Sequence, residues 1–316
     1  MRRTLALAVV AGLGLSGLTA CSWFEEDSGL RQALDRVASN ADTRIRISYG
    51  DVAGLVAIAG KAWDAQAGFA PLRTMGADQI GPYVQNAVDE TGIALLSADY
   101  AVSAGGGSTA VGLLSGGQND GRISDTLTQL GWTGDNDHLT APETVSEAAA
   151  RPYAQILAQV KADGDDVIYG QRGAKLSTAG DPSGKTLAED ARIGALADCL
   201  GDVVAAQIEG VGGPNQRTAI AVGVRRPKDN DAVPNAVICT AWSKEEAAAR
   251  YASLATAATS SGTSTTGTAY SELLRGALIE RVGGDHNIVS LRADSPDNAL
   301  LVFQLQARGD IPGLAR

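Results

Sequence analysis

The sequence is poor in the residues from which most recognisable active sites are made. It has three cysteines and two histidines in 316 residues. A zinc site usually draws three or four nitrogen or sulfur ligands at close spacing. No His-Glu-x-x-His segment or cysteine cluster is present, so no metal is expected, although Asp137-His138 and Asp285-His286 are candidates for ligating a metal together or for acid–base pairs. The bland reading of both is a turn in which aspartate satisfies backbone N–H groups and histidine begins a strand. Aromatic residues make up only 4% of the chain, which argues against the stacked platforms that grip sugars. The hydrolase elbow Gly-x-Ser-x-Gly and the Ser-x-x-Lys pair are both missing. Paired carboxylates cannot be judged by counting, yet nothing in their spacing marks a catalytic residue. Basic excess is absent too: Lys and Arg total 26 against 36 Asp and Glu, a net charge of −10. Phosphate backbones are bound by clustered Lys and Arg, so nucleic acid is not an expected partner.

Long apolar runs are also lacking, with one exception at the start. Met1-Arg2-Arg3-Thr4 is followed by an apolar or small stretch from Leu5 to Leu15, then Ser16-Gly17-Leu18-Thr19-Ala20-Cys21. A basic start, a short apolar core and small residues at a cut site make the three-part secretory signal. The apolar core is too short for a spanning helix, which needs about 20 residues. Leu18-Thr19-Ala20-Cys21 resembles the lipobox of bacterial lipoproteins. That resemblance implies cleavage between Ala20 and Cys21 and a diacylglyceryl group on the Cys21 thiol. Two or three acyl chains of the palmitate kind on one residue give stable anchoring, where a single chain gives marginal binding. Arg outnumbers Lys 20 to 6 and Ala and Gly abound, a bias resembling actinobacterial proteins. The resemblance covers residues 2–21 only. The expected location is the extracytoplasmic face of the cell membrane, and the membrane is the one partner expected outright. Losing residues 1–20 removes Arg2 and Arg3, so the mature charge is 24 − 36 = −12. Such a surface repels anionic headgroups, leaving the lipid to hold the chain.

The remaining cysteines are Cys199 and Cys239. In an exported chain an even pair suggests a disulfide, the alternative being two separate buried thiols. Closing that loop would stabilise the fold by ~4 kcal/mol through lost chain entropy.

Periodicity divides the chain into residues 1–20 as signal, 21–29 as tether, 30–145 as a first α+β half and 146–316 as a second. In the first half, Leu30, Ala33, Leu34 and Val37 share a helical face, and Arg44–Tyr49 alternates as a strand. Asp51 caps a helix over Val52–Ala65, another is predicted over Ala77–Glu90, and Leu95–Ala104 with Thr109–Ser115 flank Gly105-Gly106-Gly107 as a hairpin. Arg122–Leu130 is an amphipathic helix, and a short strand sits around His138–Thr140. In the second half Asp166–Gly170 mirrors the first strand. A helix over Ala188–Gln207 follows, then strands Thr218–Val224 and Ala236–Ala241. A helix over Lys244–Ala258 with a Ser243/Glu246 capping box comes next. Thr259–Thr268 is a flexible loop, Leu278–Val282 and Ile288–Arg292 form a hairpin, and a last helix covers Asp297–Ala307. This predicts an α+β fold: an antiparallel or mixed sheet with helices packed on one face, with two similarly built halves. The alternative, halves alike only because such folds reuse hairpins and helices, stays open.

Two glycine-rich segments imitate nucleotide sites. Ala179–Thr186 (AGDPSGKT) fits a loose phosphate-binding loop, and Gly105–Ala110 fits a dinucleotide fingerprint. The first lacks a buried strand before it, and the second lacks a helix after it, so no cofactor is expected. Trp63, Trp132 and Trp242 read as core packing at helix–sheet seams, and Trp23 as a headgroup-level residue. The reading that results is a non-enzymatic, lipid-anchored binding or interaction module of the cell envelope. Its partner is an envelope protein, or else the chain carries a lipid or other apolar ligand; a cell-envelope hydrolase ranks below both.

Overall fold

The computed structural model describes residues 28–60, 68–135, 137–144, 151–210, 217–228, 233–295 and 298–314. The signal segment, Cys21, the tether, Trp23 and Trp63 lie outside them. The chain opens with α1 (Gly29–Asp35), whose cap Ser28 accepts from the Arg31 N–H. Strand β1 (Arg46–Gly50) follows, then α2 (Val52–Ala59), capped by Asp51 as expected and stopped at Gly60 rather than Ala65. Short 3-10 turns at Ala70–Thr74 and Gly81–Tyr83 lead into α3 (Val84–Thr91). Strands β2 (Tyr100–Ala104) and β3 (Val111–Ser115) form the expected hairpin, and Asn119 caps α4 (Asp120–Gln129). Next come β4 (Thr133–Asp135), β5 (His138–Thr140), α5 (Arg151–Ile156), β6 (Gln159–Asp163) and β7 (Asp166–Gly170).

The C-terminal part runs α6 (Ala191–Leu200), β8 (Val203–Gly210), β9 (Arg217–Arg225), β10 (Asn235–Trp242), α7 (Glu245–Ser261) and α8 (Tyr270–Leu273). Strands β11 (Arg275–Val282) and β12 (Ile288–Asp294) and helix α9 (Leu301–Ala307) complete it. Three expectations are corrected here. The helix predicted over Ala188–Gln207 ends at Gly201 (φ +72), and its second half is the central strand β8. Val203–Ile208 is buried on both faces of the sheet, and a continuous apolar run of that kind has no diagnostic period. Ser243 caps nothing: Lys244 occupies the cap position of α7 and makes no side-chain cap bond. Thr259–Thr268 is no loose loop, because α7 continues to Ser261 and the following turn is pinned. Thr265 donates to Asp310 through both its N–H and its hydroxyl, each at 2.9 Å.

The twelve strands of the described residues join one antiparallel sheet in the order β11-β12-β10-β9-β8-β1-β2-β3-β7-β6-β5-β4, so the fold is α+β. Most helices gather on one face, here called the front, as expected. Helices α1 and α6 instead cover the middle of the back, burying Leu30, Leu34, Ile193, Leu196 and Leu200 on Ile47, Tyr49, Val102, Ile208 and Val237. On the front, α3 and α4 pack on Ala101, Leu114, Val167 and Tyr169, and α9 packs on Ile220, Val222, Ile238 and Leu291. The disulfide Cys199–Cys239 fastens α6 to β10 across the back core, with Cα atoms 6.2 Å apart.

From the centre outward one wing reads β1-β2-β3-β7-β6 and the other β8-β9-β10-β12-β11, the same strand order about the β1–β8 seam. Each wing begins with a back-face helix (α1, α6) and crosses to its outer hairpin through a front-face helix (α4, α7). The division point differs from the one expected near residue 145. Asp166–Gly170 does not open the second half; it pairs with β3 and β6 and belongs with the first wing. It resembles β1 because both strands end in Tyr-Gly and both are inner strands of the same sheet, buried on both faces.

Candidate binding cleft

The insertion between β1 and β2 lies directly on the front face. The Gly76 N–H donates to the Ser48 hydroxyl at 3.0 Å. A Cβ on Gly50 would sit 2.2 Å from the Met75 carbonyl oxygen, and one on Gly76 (φ +80) only 2.1 Å from that of Ala101. Two glycines therefore let backbone rest on backbone. Pro71 and Pro82 start the two 3-10 turns of the insertion, and buried Arg73 donates to the carbonyls of Ala70 (2.9 Å) and Gly60 (2.8 Å). Facing this insertion stands the β2–β3 turn, Gly105–Ala110, tied back where Gly105 N–H meets the Arg46 carbonyl at 2.9 Å.

Between them is a cavity of about 620 Å³, lined by Arg46, Thr74, Asp78, Gln79, Ser103 and the glycines 105–107, with Met75, Pro82 and Ala110 as apolar contributions. That volume falls in the range of small-molecule sites. The sheet contributes Arg46 and Ser103 to its lining, and beside them lie the buried polar residues Ser48 and Gln207. Arg46 donates through Nη2 to Gln207 Oε1 at 3.3 Å, and Gln207 Nε2 donates to Glu209 Oε1 at 2.6 Å, so a cross-strand relay orients the guanidinium. Gln79 Nε2 holds the Ala110 carbonyl at 3.2 Å, while its Oε1 is buried without a partner. The wholly buried Tyr169 hydroxyl also lacks a partner. Burial, reinforced by the Asp78 charge, pushes its pKa up and keeps it a neutral phenol.

The residues singled out by sequence are scattered by comparison. His138, on β5, meets Gln159 Oε1 at 3.0 Å, while His286, in the β11–β12 turn, offers its carbonyl to the Trp242 N–H. Nine strand spacings, on the order of 40 Å, separate them. They also fall at unlike points of the two wings. Among the described residues no three His, Cys, Asp or Glu side chains converge on a common metal position.

Ala179–Thr186 is a surface strap on α1: Gly180 N–H and Leu187 N–H donate to the Arg36 and Val37 carbonyls, and Thr186 donates to Asp35. Trp132 is buried with Nε1 on the Leu157 carbonyl at 2.8 Å, and Trp242 stacks against Tyr251 at 5.1 Å. Gly105–Gly107 is a hairpin turn, as expected, but it walls the cleft. Arg46, Asp78 and Gln79 went unnoticed, since a polar residue in an alternating strand or an irregular segment carries no motif.

No family model matches this chain, and no curated protein or solved structure is found to be similar to it.

Proposed function

We propose that this chain is a lipid-anchored lipoprotein of the extracytoplasmic membrane face, acting as a non-enzymatic module that binds a small polar ligand. The observation that carries the binding reading is the cleft, whose floor and walls are hydroxyls, amides, glycine backbone and two opposite charges. A carrier of lipid would need a predominantly apolar cavity, whereas here two charged and several polar side chains share the lining with Met75, Pro82 and Ala110, which favours a ligand with polar groups. The lipobox-like Leu18–Cys21 supports the address, and the Cys199–Cys239 disulfide suits an oxidising compartment. Among the described residues no helix is long and apolar enough to cross a membrane. The attachment side fits as well. Gly29 lies against the Tyr49 hydroxyl, on the back face toward the end of β1, whereas the cleft opens on the front face at Arg46.

Two measurements test this. Cys21→Ala should abolish metabolic labelling by a fatty acid and release the protein from the membrane fraction; unchanged membrane retention and processing refute the anchor. Native mass spectrometry of the detergent-extracted protein should show a small polar adduct or accept one. A bound lipid of defined mass would replace this reading with the carrier, and turnover of a cell-wall substrate would replace it with an enzyme.

A further inference from the structure

Two charges of opposite sign line the cleft, and among the described residues neither is in a direct ion pair, although Glu209 stands across the strand from Arg46 behind Gln207. The Arg46 guanidinium has its one hydrogen bond to the neutral Gln207 amide. No carboxylate lies within ion-pair distance of it among the described residues, and Asp78 likewise has no cationic partner there. Both side chains are exposed to the cavity they share rather than bonded to each other. Each kind of ligand meets this arrangement differently. A simple anion would gain Arg46 and be repelled by Asp78, and a simple cation the reverse. An apolar molecule would strip water from both charges without replacing it, which is costly. A neutral sugar would find hydroxyl and amide partners but no aromatic face, since no Phe, Tyr or Trp lines the cavity.

We infer that the ligand is a small zwitterion, a free amino acid or short peptide, with its carboxylate on Arg46 and its ammonium on Asp78. This rests on the reading of the chain as a ligand-binding module. Arg46 presents a planar fork suited to two parallel bonds to a carboxylate, and the relay through Gln207 to Glu209 fixes its direction. Thr74 and Ser103 hydroxyls in the same lining offer partners for a peptide group. The glycines at 105–107 let the wall approach a bound backbone without side-chain obstruction.

The test is isothermal titration calorimetry on the full-length protein extracted in detergent. The probes are alanine, alanyl-alanine, N-acetyl-alanyl-alanine, alanyl-alaninamide, inorganic phosphate and glucose. One of the two free zwitterions should bind saturably, alanine indicating an amino-acid site and alanyl-alanine a peptide site. For whichever binds, blocking either charged end should weaken binding at least tenfold. Arg46→Gln should erase discrimination against the amide and leave discrimination against the acetylated form. Asp78→Asn should do the reverse. Both residues are surface-exposed, so the variants should keep the parent unfolding midpoint. Equal binding of blocked and free forms overturns the inference, as does no saturation by either zwitterion up to ~10 mM. If phosphate or glucose binds instead, with loss in the same variants, the zwitterion is wrong and the binding module stands. If no probe binds and the extracted protein carries no small adduct, both readings fall.

Discussion

Removing the Cys199–Cys239 bridge should be the most damaging two-atom change available to this protein. The bond joins α6, the helix covering the back of β8, β9 and β10, to β10 itself, across 40 positions of sequence. For a loop of that length, loop-closure entropy lost from the unfolded chain gives ΔS of about −2.1 − 1.5R ln 40, near −13 cal/mol/K, or ~4 kcal/mol at 25 °C. For a chain of this size each kcal/mol moves the unfolding midpoint by ~2 °C or slightly more, so reduction should lower it by roughly 8 °C. Cys239 is fully buried, so a double Cys→Ala variant should lose a further ~1 kcal/mol for the missing sulfur atoms. Calorimetry of the oxidised, reduced and double-variant proteins separates the two contributions, because the reduced protein keeps both sulfurs. The reasoning is refuted if the reduced protein melts within ~1 kcal/mol of the oxidised one. Free thiols on both residues before any reductant is added would refute it as well.

Asp310→Ala should cost ~1–2 kcal/mol in urea unfolding, since it strips the buried carboxylate acceptor of the Tyr270 hydroxyl (2.7 Å), leaving that hydroxyl the Asp310 carbonyl, and removes the acceptor of two donors of the exposed Thr265. Gly76→Ala should destabilise by at least ~2 kcal/mol, through a positive φ and a Cβ 2.1 Å from the Ala101 carbonyl oxygen, and should weaken cleft binding along with it. The third prediction concerns acid. Burial raises the Asp166 pKa, but hydrogen bonds from Arg36 (2.7 Å) and the Gly116 N–H (2.9 Å) outweigh it and hold the carboxyl below its ordinary range. Burial likewise raises that of Asp190, and bonds from the Ile193 N–H, Ser39, the Arg192 N–H and Arg44 outweigh it. Depressed carboxylates stabilise above their unfolded pKa and lose that contribution as pH falls through the folded one. Stability should therefore be level at neutral pH and decline from about pH 4 downwards, more gently in Asp166→Asn, as read from urea midpoints across pH.

What was legible in the sequence follows from which signals are local. Hairpins announced themselves where alternation met glycine, as at Gly105–Gly107 and Gly283-Gly284, and Asp51 marked the start of α2 because a cap acts within three residues. The Cys199–Cys239 pairing could be stated from compartment and count alone. Strand β8 carries no such signal, because α1 and α6 cover its back face and α2 lies on its front, and two-sided burial removes the alternation that identifies a strand. Strand β6 carries a weak signal for another reason: Gln159, Lys161 and Asp163 leave it only Val160 and Ala162 as apolar positions, both buried against the front core.

The two wings share a strand order, but they differ at one place that matters for chemistry. Between β8 and β9 the chain needs only residues 211–216, whereas between β1 and β2 it spends residues 51–99 on α2, the 3-10 turns and α3. That insertion supplies one wall of the cleft, and the β2–β3 turn supplies the other. The shared part of the wings sets strand order, seam and back core, all of which can be built from apolar side chains of the right size. The polar row Arg46, Ser48, Ser103 and Gln207 is affordable in the middle of the sheet only because the insertion and the relay satisfy most of its hydrogen bonds. An insertion on one wing alone therefore turns a pattern that would otherwise close into a plain core into a concave, charged surface. It also explains why no motif marks the site: its residues come from β1, the insertion, β2 and the β2–β3 turn, and Arg46, Asp78 and Ser103 lie far apart in sequence.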